Sequence, residues 1–167
     1  MVFKGIPIDG HIEDFVKALE NQGYKKVYDG TSGVVMKGDF TGKNAEIFIL
    51  YTSKTKTVWK VAAQFDKNSS WYKLKSDYFD YVELYTQKYG KPSEHFEFFV
   101  DPYYEGDGYE LQALEKEKCF YNTFFKTELG ILSVKIASSG TITLSYEDYI
   151  NSNKEDSEKT SSALDDI

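Results

Sequence analysis

The sequence predicts an α+β fold: a mostly antiparallel sheet of six to seven strands, with two main helices packed on one face. Three observations predict it. Apolar residues recur at three- and four-residue spacing in two stretches, Ile12–Leu19 and Leu74–Tyr89. Each stretch precedes a run of short segments with period-two alternation. Short Gly-, Ser-, Asn- and Lys-containing connections separate those segments. The second helical stretch organises the rest. Leu74, Tyr78, Tyr81, Val82, Tyr85 and Tyr89 fall on one stripe at about 100° per residue, with Ser69 or Ser70 as N-cap. Gly90 suits a left-handed residue beyond the helix end, and Pro92 blocks continuation. The stripe is mostly tyrosine, a side chain that buries a ring but keeps a hydroxyl needing a partner. Tyr72 and Phe79 lie off the stripe, as a flank of the core or a patch presented to another molecule.

The other elements follow in order. Phe3–Ile8 reads as an extended entry. Asp9 is the expected N-cap of a helix carrying Ile12, Phe15, Val16 and Leu19, which Gly23 ends. Gly33–Thr41, Ala45–Thr52 and Thr57–Phe65 read as strands joined by hairpin-length connections. Trp59, Val61, Ala63 and Phe65 alternate with Lys60, Ala62 and Gln64, the mark of a sheet covered on one face. After the tyrosine helix, Glu94–Val100 reads as a strand with Phe96 and Phe98 on its packed side. An acidic loop over 101–110 and a short helix within 109–118 come next, then a meander of Phe120–Leu129, Ile131–Ala137 and Thr141–Glu147. Residues 1–150 are expected to form the domain. Residues 151–167 are polar and read as a solvated tail or a loosely held helix. Phe15-Val16 through Gly23-Tyr24 parallels Tyr81-Val82 through Tyr89-Gly90 about 66 residues on, a sign of a duplicated α-β-β-β unit over 9–66 and 69–147.

A helix closing on Tyr89-Gly90-Lys91-Pro92 and followed by a meander resembles the half-unit of the β-lactamase-inhibitor-protein-like and outer-membrane-assembly-lipoprotein-like folds. The resemblance implies two such units building one sheet, and a small protein-binding module rather than a catalyst. The chain departs from that pattern in three ways: Gly23 is not followed by Pro, no signal peptide is apparent, and paired cysteines are missing. The resemblance transfers no contact residue.

Composition narrows the function classes. All 20 basic side chains are lysine, and the net charge is −7. Nucleic-acid recognition leans on the guanidinium fork and a basic surface, so that class is disfavoured. Residues 1–80 carry 12 Lys against 10 acids, whereas residues 81–167 carry 8 against 17, a half able to steer a basic partner. No run of about 18 apolar residues occurs, so no transmembrane helix is expected. Met1–Pro7 lacks the apolar core of a secretory signal. The expected compartment is the cytoplasm if Met1 is native, and the periplasm or exterior if a signal was removed. Cys119, the single cysteine, reads as a buried inert thiol. His11 and His95 read as surface residues, and no cofactor is expected. No nucleophile elbow, Walker loop or zinc spacing appears.

The most suggestive local feature is the 101–110 loop. Asp101, Glu105, Asp107 and Glu110 offer oxygens suited to Ca²⁺, although not at EF-hand spacing. Tyr103, Tyr104 and Tyr109 offer rings for a partner or a sugar. Fourteen tyrosines exceed what one core absorbs. The leading expectation is therefore a protein-binding module using exposed aromatics on an open sheet face or this loop, with Tyr72, Phe79, Tyr103, Tyr104 and Tyr109 as contacts. A sugar-binding protein and a hydrolase with a carboxylate pair are the alternatives.

Overall fold

The computed structural model describes residues 1–165. A two-stranded ribbon, β1 (Val2–Phe3) and β2 (Ile6–Pro7), precedes helix α1 (Ile12–Asn21). Strands β3 (Lys25–Asp29), β4 (Gly33–Phe40), β5 (Lys43–Tyr51) and β6 (Val58–Phe65) follow. Helix α2 (Trp71–Tyr89), β7 (Glu94–Phe99), α3 (Glu110–Glu115), β8 (Cys119–Lys126), β9 (Gly130–Ala137), β10 (Thr141–Asp148) and α4 (Tyr149–Asp165) complete the chain. Apart from the β1–β2 ribbon, the strands form one antiparallel sheet in the order β3-β4-β5-β6-β10-β9-β8-β7. Each long run is a helix followed by four strands, with the last strand of each, β6 and β10, side by side. The sheet thus has eight strands rather than six to seven, and the described residues hold four helices rather than two. The extra strand is β3. All five of its residues are exposed, so it carries no apolar alternation to read; pairing with β4 makes it a strand.

The chain divides into two compact units. The first takes Met1–Ala63, Glu128–Ile131 and the chain from Ser145 onward; the second takes Gln64–Thr127 and Leu132–Leu144. The division therefore runs through β6, β9 and β10.

In the first unit α1 buries Ile12, Phe15, Val16 and Leu19, the expected stripe. Its N-cap is His11, whose Nδ1 accepts from the Glu13 N–H at 3.3 Å, and not Asp9. The later start has a cause outside the helix. The Ile12 N–H donates to the Lys56 carbonyl and the Val58 N–H to the Gly10 carbonyl, both at 2.9 Å, pinning residues 10–12 to the β5–β6 connection. Val34 and Met36 of β4 lie opposite Ile49 and Ile47 of β5, and all four are buried. Tyr24 lies over Gly38: a Cβ there would sit 2.5 Å from the ring. Burial, and next Asp39, pushes the Tyr24 phenol up to about 12.

Helix α4 is buried on a stripe of Asn151, Glu155 and Glu158, at helical spacing but polar. Polar groups leave water only when bonded, and these are. Asn151 donates through Nδ2 to the Ile8 carbonyl at 3.0 Å. Glu155 and Glu158 accept from the turn over residues 53–55. Of the segment expected as a tail or a loose helix, the described residues, to Asp165, form a helix bonded to the rest of its unit; residues 166 and 167 lie outside the described residues.

In the second unit Ser70 caps α2 as expected, its hydroxyl accepting from the Lys73 N–H at 3.3 Å. The helix ends at Gly90, whose φ of 87° and ψ of −166° lie in a region essentially restricted to glycine. The buried stripe is Leu74, Tyr78, Tyr81 and Tyr85. Tyr81 stacks on Phe65 with ring centroids 5.0 Å apart, and Tyr85 meets Phe125 at 5.7 Å. The Tyr78 and Thr123 hydroxyls are hydrogen bonded to each other. The tyrosine stripe therefore supplies the core, and the Tyr78 hydroxyl finds its partner across the packing surface.

Candidate functional site

Two aromatic surfaces occur in the second unit, on opposite sides of β7 and β8. The helix side contains the residues singled out from the sequence. Trp71 meets Phe99 and Tyr121 edge-on at 5.6 and 5.2 Å, and Phe79 packs against Tyr78 at 5.1 Å. Lys75 pairs with Glu105 and sits over the Tyr121 ring, which fastens the 101–109 loop beside this cluster. Tyr72, Lys75 and Phe79 lie three and four apart, on one side of α2.

Three of the four acids of the loop are occupied. Asp107 accepts from the Tyr104 and Tyr109 N–H groups at 3.1 and 2.7 Å, and Glu110 accepts from the Gly106 N–H at 2.9 Å. Glu105 is held by Lys75, while Asp101 is exposed. Among the described residues, no three His, Cys, Asp or Glu side chains are placed to hold a metal ion. Tyr103 is partly buried and donates to Gln112 Oε1 at 3.4 Å. Tyr72, Tyr104 and Tyr109 are exposed, Tyr72 by 82%. Their hydroxyls keep them compatible with water.

The other surface was not legible as a site. Register decides it. Phe99, Glu97 and His95 of β7 lie opposite Cys119, Tyr121 and Thr123 of β8. All three β8 residues are buried, and Tyr121 and Thr123 contact α2 through Tyr78, so this is the helix side. Phe96 and Phe98 consequently face away from α2, opposite Asn122 and Phe120. The sequence expectation that they occupy the packed side of their strand is corrected. His95 is the residue on the helix side, and it is exposed there. Phe98 and Phe120 stack with centroids 5.0 Å apart at 27°, and Phe96 meets Phe124 edge-on at 6.2 Å. Phe96, Phe98 and Phe120 remain 45%, 45% and 39% exposed.

Asn122 lies opposite Phe96 and between Phe120 and Phe124 along β8. Its Oδ1 is buried and accepts no hydrogen bond, a state that costs roughly 1–3 kcal/mol. β7 ends the sheet, so this surface adjoins a strand edge. The signal in the sequence was Cys119–Lys126, whose aromatics occupy both parities: Tyr121 and Phe125 on one, Phe120 and Phe124 on the other. A strand with rings on both faces leaves one set uncovered when a helix covers only one face.

The remaining chemistry-bearing residues are placed elsewhere. His11 caps α1 and lines a cleft of about 360 Å³ with Glu13, Lys17, Lys26 and Asp29. Cys119 is buried; burial first, then Glu105 and Glu110, pushes its thiol up to about 12, so it is no thiolate near neutrality. Comparison of the chain with protein-family models, curated proteins and solved structures gives no match.

Proposed function

We propose that this protein is a protein-binding module, and that its contact surface is the phenylalanine face of β7 and β8 with the adjoining edge of β7. The exposure of Phe96, Phe98 and Phe120 carries this reading. Complete burial of a phenylalanine is worth about 1.5–3 kcal/mol. Three rings 39–45% exposed therefore leave roughly 2–4 kcal/mol of burial unrealised. The exposed tyrosines of the 101–109 loop leave less, because a solvated hydroxyl loses hydration on burial. That difference selects the sheet face over the loop as the docking surface.

The edge of β7 suits one kind of occupant: an extended protein segment that adds to the sheet, its side chains two residues apart meeting Phe96 and Phe98. Lysine or arginine on that segment complements the acidic excess of residues 81–167 and hastens the approach. The likeness to tandem helix-plus-meander modules points to the same class.

A photo-crosslinking residue placed at position 98, and separately at position 104, tests this in cells that make the protein. Position 98 is expected to capture one defined protein and position 104 none. Phe98→Ser is expected to weaken that complex at least tenfold, about 1.4 kcal/mol, while lowering the melting temperature by only a few degrees, since the ring is half exposed. Capture through position 104, with binding indifferent to Phe98→Ser, would move the contact to the loop and overturn the proposal.

A further inference from the structure

The turn between β5 and β6 holds itself closed without using the N–H groups of Ser53, Lys54 and Thr55. The Thr52 N–H donates to the Thr57 carbonyl at 2.8 Å, the Lys56 N–H to the Thr52 carbonyl at 3.2 Å, and the Thr57 N–H to Thr52 Oγ1 at 3.0 Å. The three intervening N–H groups all donate to carboxylates of α4. Ser53 donates to Glu155 Oε2 at 2.8 Å, and Lys54 and Thr55 to Glu158 Oε2 at 2.5 and 3.2 Å. The Thr55 hydroxyl donates to Glu158 Oε1, and the Ser53 hydroxyl to Oε2 at 3.5 Å. Lys54 Nζ closes one rim through Ser161 Oγ at 3.1 Å and Asp165 at 3.4 Å. Lys154 Nζ lies at the other, donating to Thr57 Oγ1 at 3.0 Å. The successive Lys54 and Thr55 N–H groups converge on Glu158 Oε2, while the Ser53 N–H is taken by Glu155; successive N–H groups that converge form an anion-binding concavity. Here the Ser53 and Thr55 hydroxyls add two donors, the Lys154 charge acts on the same carboxylate, and more than a hundred residues separate the turn from its carboxylates in sequence.

We infer that the Lys54 and Thr55 N–H groups, with the Ser53 and Thr55 hydroxyls, form a preformed oxyanion site whose resident ligand is the Glu158 carboxylate, and that a small free oxyanion occupies it once that side chain is removed. Thr52–Thr57 bonding keeps the concavity shaped without α4. Acetate reproduces the carboxylate that the chain supplies, while phosphate adds oxygens for the hydroxyls and for Lys54 and Lys154.

The test is an amide-resolved titration of full-length Glu158→Ala with sodium acetate and, separately, inorganic phosphate, against chloride at equal ionic strength. Saturable shifts of the Lys54 and Thr55 amides are expected in the variant, at concentrations at least tenfold below any response of the unaltered chain. The melting temperature of the variant should recover with the same anion. A response to acetate alone assigns a carboxylate site, and one to phosphate alone a phosphate site. If Glu158→Ala does not fold, Glu158→Asp is titrated instead; its carboxylate is one methylene short and leaves room in the concavity. Shifts that rise linearly with salt, or that are equal in the variant and the unaltered chain, overturn the inference.

Discussion

Tyr78→Ala is expected to destabilise the protein by about 4–6 kcal/mol, and Tyr78→Phe by only about 1–2 kcal/mol. Tyr78 is fully buried on α2. Its ring meets Tyr121 at 5.5 Å and 84° and Phe79 at 5.1 Å and 72°, both edge-on. Removing a buried aromatic ring costs roughly 3–5 kcal/mol through lost transfer energy and the residual cavity. The alanine variant also strands the Thr123 hydroxyl, which is 1% exposed and bonded to Tyr78. An unpaired buried hydroxyl adds roughly 1 kcal/mol, the lower end of its range. The phenylalanine variant keeps the ring and loses only that second contribution. At about 2–4 °C per kcal/mol for a chain of this size, the alanine variant should melt 10–20 °C lower. Equilibrium denaturation of both variants checks the ratio; equal losses would place the stabilisation in the hydroxyl pair and refute a ring-dominated core.

Burial also raises the Tyr78 phenol pKa, the Thr123 bond lowers it, and Glu97 adds to the rise. The stability linked to a protonated Tyr78 is therefore complete below the ordinary tyrosine range and lost as pH rises past it.

Glu158→Ala is expected to cost about 2 kcal/mol and to loosen α4 before the rest of the first unit. Hydrogen bonds to a charged acceptor contribute about 1.5–3 kcal/mol, and water re-solvates part of what this carboxylate releases. The unaltered chain should show the same loosening in acid. Burial alone would push the Glu158 carboxyl up. Bonds from the Thr55 hydroxyl and from the Lys54 and Thr55 N–H groups, with the charge of Lys154, outweigh it and bring the pKa down to about 2. A lowered pKa means that the ionised form is the one the fold binds. Its contribution is complete above the ordinary carboxyl value of 4.5 and disappears as pH falls through about 2. Other charges face the same region: Lys54 from the turn, and Lys154, Glu155, Lys159 and Asp165 from α4 itself. The informative quantity is therefore a difference. Amide exchange over 149–165 should accelerate between pH 4.5 and 2 in the unaltered chain, and should be fast and nearly flat over that range in Glu158→Gln. Parallel acid profiles would show that another carboxylate governs the helix.

These expectations separate two levels of information. Local patterns in the sequence determined the elements with an apolar period. The stripe Leu74–Tyr85, its Ser70 cap and Gly90 stop, the alternation of β6, and the β9–β10 pair all lie within a residue or two of where periodicity and turn chemistry place them. Tertiary structure decided what such patterns leave open. Alternation shows that Phe96 and Phe98 share a side of β7, yet only the register with β8 decides that the helix lies on the other side. Exposed β3 exists because β4 pairs with it. His11 caps α1 because residues 56 and 58 hold the chain ahead of it. α4 has no apolar stripe to read; its buried face is polar, and its bonding partners lie about a hundred residues away. Periodicity records which side chains point together, because that follows from backbone geometry within one element. Which face is covered, and by what, is set by contacts between elements far apart in the chain.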